Sequence, residues 1–448
     1  MNQRLDITFG LALLAAGCIT PGCHRPLREL PPTRAEYPAY RSANESSPSP
    51  APASPAASVP ANLDATAIHE LFAANHPELV AARARIDEAQ AATTTASAWP
   101  NPEIGGRLMF DTAGGAIRGE GAFLFPLPLG GRIGEAEAVA ALNLERARTE
   151  VAALELEVRV EADRRLARLA HARARLALLQ ELAERSARYA TLARERRAAS
   201  VADPLDVALV LADAARDRRA VAREGAAVTA AEEEIRMLAG LPPEAAILRV
   251  ETPARRSIAL DREQLIREAE QHCPALLLAR LKVASADAEA QLAAAERVPD
   301  LHLGPAVAGE DGGVAVGLQA GIPLPLINSG RGPYDEALAR RRAALEEYRA
   351  EARRTAAEVV TLLARLAAAD EEIDALLGES IAAAEQAFAL ARARYEAGKL
   401  DVLRLLSAHR AFADLKLEHL DLLLARQEVV LDLELGVGLE FEPREGKS

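Results

Sequence analysis

Apolar residues along this chain follow two different periods. Two very long runs, from Gly131 to about Ala198 and from Arg331 to about Ala397, carry an apolar residue at every seventh position. In the second run these are Leu338, Leu345, Ala352, Val359, Leu366 and Ile373; in the first they are Ala162, Leu169, Leu176, Ala183 and Ala190. A sevenfold repeat specifies helices that coil around their neighbours, and alanine at the seam lets the axes approach closely. At about 1.5 Å per residue, each run predicts a rod roughly 100 Å long. The first run contains no proline and only Gly134 after its start; the second is interrupted by Gly332-Pro333 and by Gly378. Each rod turns and returns through a shorter helix, 204–239 or 400–435, and each half begins with another, 77–98 or 274–297.

Ahead of each rod the period changes to two. In 103–110, Ile104, Gly106, Leu108 and Phe110 alternate with Glu103, Gly105, Arg107 and Met109. In 116–125, Ile117, Gly119, Gly121, Phe123 and Phe125 share one face, with Arg118 and Glu120 on the other. Asp111-Thr112-Ala113-Gly114-Gly115 supplies a turn between them. The second half repeats this design. Leu301, Leu303 and Val307 face away from His302, Glu310-Asp311-Gly312-Gly313 makes the turn, and Val314, Val316, Leu318 and Ile322 face away from Gln319. Strands of eight to ten residues match the length that crosses a bilayer in a tilted barrel.

The join between the two periods is written twice, as FPLPLGGR (125–132) and IPLPLINSGR (322–331). Pro126 and Pro128, then Pro323 and Pro325, remove ladder donors and delay helix onset. Gly131 and Gly330 supply the turn into the rod. Around these joins the halves run parallel at an offset of about 195–199. NHPELVAARARIDEAQAA (75–92) matches HCPALLLARLKVASADAEA (272–290), LARERRAASVADPLDV (192–207) matches LARARYEAGKLDV (390–402), and MLAGL (237–241) falls opposite GVGL (436–439). A whole unit has been duplicated. The repeats span 63–250 and 261–440, with strands at about 102–125 and 300–323, long helices at about 131–240 and 331–435, and a tail at 441–448. Four strands with one apolar face satisfy neither their edges nor a closed wall in lipid. Copies must pool strands, and three copies give twelve.

Composition agrees. Aromatics make up 3% of the 448 residues, as in long helical coils rather than ordinary cores. The net charge of −13 argues against a nucleic-acid partner. MNQRLDITFGLALLAAGC reads as a secretory signal over 1–17, and Leu14-Ala15-Ala16-Gly17-Cys18 resembles a bacterial lipoprotein cleavage box with Cys18 as lipid anchor. Residues 18–62 form a Pro/Ser/Ala-rich linker. The three cysteines, Cys18, Cys23 and Cys273, are too scattered for a disulfide framework.

The ordered set of helix, hairpin and helices, the paired PLPL junctions and YEAGKLDVLRLLSAHRAFADLK (395–416) resembles the TolC family of outer-membrane efflux proteins across about 63–440, most closely its heavy-metal (CzcC-like) branch. That resemblance implies a mainly α fold with a small β part. A trimeric twelve-stranded barrel in the outer membrane would continue into a periplasmic helical barrel. It implies a passive exit duct of a tripartite system, in contact with outer-membrane lipid, a periplasmic membrane-fusion adaptor and an inner-membrane RND pump, exporting small solutes, heavy-metal cations foremost. Drug export and type I polypeptide secretion are the alternatives for cargo. A periplasmic adaptor or a structural coiled coil are the rival architectures, and the doubled hairpin speaks against both.

Candidate residues cluster at the far ends of the rods, where the resemblance implies a periplasmic tip. Asp203, Asp206 and Asp401 are candidates for a carboxylate ring that favours cations; Asp203-Pro204-x-Asp206 is equally helix-start chemistry. Leu205, Val207, Leu400 and Val402, around Gly398, are candidate adaptor contacts or interhelical core. The first turn, AASVADPLDV, lacks a counterpart of Gly398. The histidines show no same-face pairing with a second ligand along any helix, so no metal site is expected, and His76 and His272 beside helix-starting prolines read as capping or packing. No HExxH, P-loop, GxSxG or CxxC occurs, so neither an enzyme nor a cofactor is expected.

Overall fold

A computed structural model describes residues 65–110, 117–199, 203–242, 261–310 and 313–441. The expected signal segment, Cys18, the linker, the first hairpin turn and the tip residues 200–202 lie outside the described residues. Both repeats belong to one unit, Val59–Ser448. The elements run α1 (Ala65–Asn75), α2 (Pro77–Ala96), β1 (Glu103–Phe110), β2 (Ile117–Leu127), α3 (Arg132–Ala198), α4 (Pro204–Ala239), α5 (Arg262–His272), α6 (Pro274–Ala295), β3 (Leu301–Glu310), β4 (Gly313–Gly321), α7 (Arg331–Ala375), α8 (Ile381–Glu396) and α9 (Val402–Val437). The apolar period along the chain predicts neither α1 nor α5. Each is a single 11-residue helix placed just before a proline, too short to show a convincing period.

The first rod, α3, is unbroken over 67 residues. The second is interrupted by a five-residue π turn, Leu376–Ser380, between α7 and α8. That interruption contains Gly378, the glycine that marks the run in sequence. A π turn absorbs one extra residue without ending the helix. The heptad stripe is only half used within one chain. Val359, Leu366 and Ile373 are buried, whereas Leu345, nearer the sheet, is 37% exposed.

The duplication reappears in the packing. Ile68, Ala162, Leu169, Ile235 and Ala239 form one core where α1, α3 and α4 meet. Leu265, Val359, Leu366, Leu433 and Val437 form its counterpart among α5, α7 and α9. Corresponding residues lie 197 or 198 positions apart. The C-terminal glycines of the return helices, Gly240 and Gly438, both take the left-handed conformation that ends a helix (φ 66° and 82°). Matching these ends shifts the tip alignment. Asp203 and Asp401 are both helix N-caps, so Asp401 corresponds to Asp203, and the Leu-Asp-Val match suggested by sequence is out of step by three residues.

The strands form one antiparallel sheet in the order β1-β2-β3-β4, joining the two repeats through β2 and β3. Its register sorts the faces as the alternation predicts. Ile104 pairs with Phe123, Phe125 with Leu303, and Val307 with Val316, all on one face. Arg107 pairs with Glu120, and Gly304 with Gln319, on the other. The apolar face is bare: Ile104 is 85% and Leu318 80% exposed. Pro126 departs from expectation, because it stays in β2, paired with His302, and the strand ends only before Pro128. In the second half both Pro323 and Pro325 lie beyond β4.

Opposite Gly304 and Pro305, residues Phe123 and Leu124 have no assigned partner in β3. Proline has no N–H to give there, and a Cβ on Gly304 would run into the Phe123 carbonyl oxygen. The strands are pinched at this point. Gly304→Ala is therefore expected to disrupt the β2–β3 pairing and to lower the yield of folded protein. Heat-modifiable electrophoretic mobility checks this, with Gly317→Ala, where an added Cβ meets nothing, as the neutral control.

Candidate functional site

Two regions gather the candidate residues: the sheet-to-rod junctions and the turns at the opposite ends of the rods. At the junctions Gly131 and Gly330 cap the rods in the left-handed conformation (φ 72° and 68°), which glycine adopts at little cost. Arg132, the first residue of α3, clamps Asp300 just before β3, with Nε–Oδ1 at 3.2 Å and Nη2–Oδ2 at 2.8 Å. A bidentate guanidinium–carboxylate pair fixes orientation as well as distance. The first rod is thereby tied to the second hairpin. At the other junction Asn328 Oδ1 accepts from Gly330 N (3.1 Å), and Arg297 donates to the Ser329 carbonyl (3.3 Å). The glycines and prolines are legible in the sequence, whereas the Arg132–Asp300 clamp is not, because partners 168 residues apart carry no local signal.

At the far ends, the C-terminus of α8 closes with paired bonds, Gly398 N to Tyr395 O (2.9 Å) and Lys399 N to Arg394 O (2.8 Å). Gly398 takes φ 71°, the left-handed step this closure requires. Tyr395 is buried and Leu400 packs partly against the same core as Val402, Leu405, Val207 and Val210. Arg196, from the last turn of α3, donates to the Tyr395 and Glu396 carbonyls (2.5 and 2.9 Å) and lies 4.5 Å from the Tyr395 ring. One arginine thus adds a second bond to the Tyr395 carbonyl and satisfies that of Glu396 at the other rod's end.

Asp203 caps α4, its Oδ1 accepting from Leu205 N at 2.8 Å. Asp401 occupies the same place before α9 without a side-chain cap bond. Asp206 is held above the ordinary carboxylate range, first by desolvation and then by the negative charges of Asp401 and Asp203. The structure therefore brings the three predicted carboxylates into one electrostatic neighbourhood. It separates the apolar candidates. Leu205 is 65% exposed, Val207 and Leu400 are half-buried, and Val402, at 1%, is core and presents nothing to a partner.

The histidines are better partnered than expected. His69 meets Asp163 and His171 meets Asp421, both at 2.8 Å. His272 pairs with Glu268 one helical turn away (3.5 Å), a same-face pair that corrects the sequence expectation. Neither His76 nor His272 caps a helix through its side chain: the His76 side chain makes no cap bond, and His272 ends α5. Cys273 is free and buried, as a small core residue. Among the described residues no helix is long and apolar enough to cross a membrane.

Residues 265–439 match the family described as "Outer membrane efflux protein". No curated protein matches the chain. Among solved structures, VceC, an outer membrane protein of Vibrio cholerae, superposes with a TM-score of 0.71 at 20% identity, covering 84% of this chain and 97% of that one. CusC gives 0.69 at 18% identity, covering 84% and 92%. A membrane protein from Pseudomonas aeruginosa gives 0.71 at 21%, covering 85% and 92%. At these identities the likeness establishes a shared fold.

The difference between the two caps gives a local test. Asp203→Ala should lower unfolding stability by about 1 kcal/mol, the usual worth of an N-cap bond. Asp401→Ala should cost less, because its side chain makes no such bond; thermal unfolding of the two variants side by side checks the order.

Proposed function

We propose that this chain, whose residues 265–439 match the outer membrane efflux protein family, is the outer-membrane exit duct of a tripartite efflux system, carrying small cations, heavy-metal ions foremost, passively to the exterior. One observation carries the reading. A four-stranded sheet presents an apolar face to the outside, and its edge strands β1 and β4 find no further partner among the described residues. Bare backbone edges are not tolerated in lipid, and a single hairpin pair is far short of the smallest membrane barrel. Three copies would complete a wall of twelve strands, with Arg107, Glu120, His302 and Gln319 on the wet side. The half-exposed heptad stripe of α7 would meet its neighbours in the same assembly.

Chemistry is not asked of such a duct. Its work is a continuous passage, and selection falls to charge at the narrow end. Asp203, Asp206 and Asp401 favour cations there, consistent with a metal-ion cargo. Leu205, exposed at the tip, is the apolar contact offered to a periplasmic adaptor, with Leu400 and Val207 at its rim; an inner-membrane RND pump completes the path. Cys18 would add a lipid anchor to the mature N-terminus.

Fractionation tests the architecture. The protein is expected in the outer membrane as a trimer that resists detergent until heated; a monomer that stays soluble without detergent would overturn the reading. Conductance tests the tip. A raised carboxyl regains its proton above the ordinary carboxylate range as the pH falls, so cation preference in planar bilayers should weaken on acidification from neutral. Asp206→Asn should lower the preference at neutral pH and flatten its pH dependence. Wild-type selectivity in that variant would remove Asp206 from the pathway.

A further inference from the structure

Ten residues beyond the tip, Asp213 of α4 is almost fully buried. Two bonds from Arg410, Nε and Nη2 at 2.9 and 2.6 Å, engage its Oδ1, but its Oδ2 has no hydrogen-bond partner. His409 of α9, 2% exposed, faces it, with Nδ1 at 3.9 Å from that oxygen and with Nε2 unpartnered. Asp217, one helical turn past Asp213, completes a trio whose ligand atoms lie within 4.8 Å of one another. Ser186 of α3 donates to Asp217 Oδ2.

Buried polar atoms without partners cost about 1–3 kcal/mol each, and Asp213 Oδ2 and His409 Nε2, both unpartnered on neighbouring side chains beside a second carboxylate, call for a ligand. Arg410 answers only one oxygen of one carboxylate. We propose that Asp213, Asp217 and His409 bind a first-row divalent transition cation of borderline softness, Zn²⁺ being the type.

The donor set decides the class of ion. One imidazole nitrogen and two carboxylates suit Zn²⁺, Co²⁺ or Ni²⁺, whereas Mg²⁺ and Ca²⁺ ask for six or more oxygens. Bonds of about 2.0–2.2 Å in a tetrahedron place ligand atoms roughly 3.3 Å apart, so the side chains need draw in by about an ångström. Tyr189, Phe388 and Phe412 surround the site with rings, Phe388 5.3 Å and Tyr189 6.3 Å from the imidazole. A dry collar of this kind strengthens the ion's field on its ligands.

The site is not a relic of duplication. At the 198-residue spacing of the caps, Asp213 corresponds to Ala411 and His409 to Leu211. It exists only where the first repeat's return helix meets the second's, so a bound ion would fasten α4 to α9 near the tip, whatever the duct carries.

The experiment uses the full-length protein in detergent, stripped with a chelator and titrated with Zn²⁺ alone, then with Co²⁺ as a spectroscopic probe. One equivalent per chain, a tetrahedral Co²⁺ absorption band, and binding weakened at least tenfold in both His409→Gln and Asp217→Asn are expected; His272→Gln should bind as wild type. Added Zn²⁺ should also raise the wild-type unfolding midpoint. Where His409→Gln fails to assemble, Asp217→Asn, at the more open side of the site, decides alone. Absence of stoichiometric Zn²⁺ binding, or wild-type affinity in a folded Asp217→Asn, would overturn the proposal.

Discussion

Backbone hydrogen bonding at the edges of a four-stranded sheet governs the rest of this molecule. The sheet's paired faces differ sharply: Ile104, Phe123, Val316 and their neighbours make one side wholly apolar, and Arg107 and Glu120 make the other polar. An apolar face of this size seeks lipid, and lipid leaves unpaired N–H and C=O groups without partners. In the proposed assembly, closure with sister chains would resolve both demands together. The long helices would then inherit a quasi-cyclic arrangement, and the outward part of the α7 stripe would have a reason to stay uncovered within one copy.

Junction geometry transmits that arrangement from sheet to rod. A strand and a helix differ in direction and in period, so the chain must change course within a few residues. Proline ends the ladder, glycine takes the left-handed step, and Arg132 locks the new direction by holding Asp300. The two junctions use the same backbone device with different side-chain clamps. Duplication preserved what the backbone required, and each copy acquired its own clamp.

Symmetry breaks again toward the tip. The matched cores around Leu169 and Leu366 are near copies, yet one rod runs through without interruption while the other takes a π turn at Gly378. A buried Asp213–His409 contact replaces apolar packing where the two return helices meet. Polar groups in a core cost stability unless satisfied; their persistence at one site, and not at its repeat counterpart, marks the tip as the place where the halves have taken on separate duties.

Period alone determined a great deal. Sevenfold spacing announced the rods, alternation announced the strands and sorted their faces, and Gly131, Gly330 and Gly398 appeared at the bends, because helix, strand and turn chemistry are all local. Short helices such as Ala65–Asn75 escaped notice for the same reason: eleven residues hold too few turns to display a period. Tertiary structure decided whatever depends on residues distant in sequence. It moved Asp401 into register with Asp203, buried Val402 while leaving Leu205 bare, kept Pro126 inside its strand, and brought Asp213 and His409 together across nearly two hundred residues. No spacing rule within one helix encodes such meetings, since they arise only when separate helices pack and their side chains share one small volume.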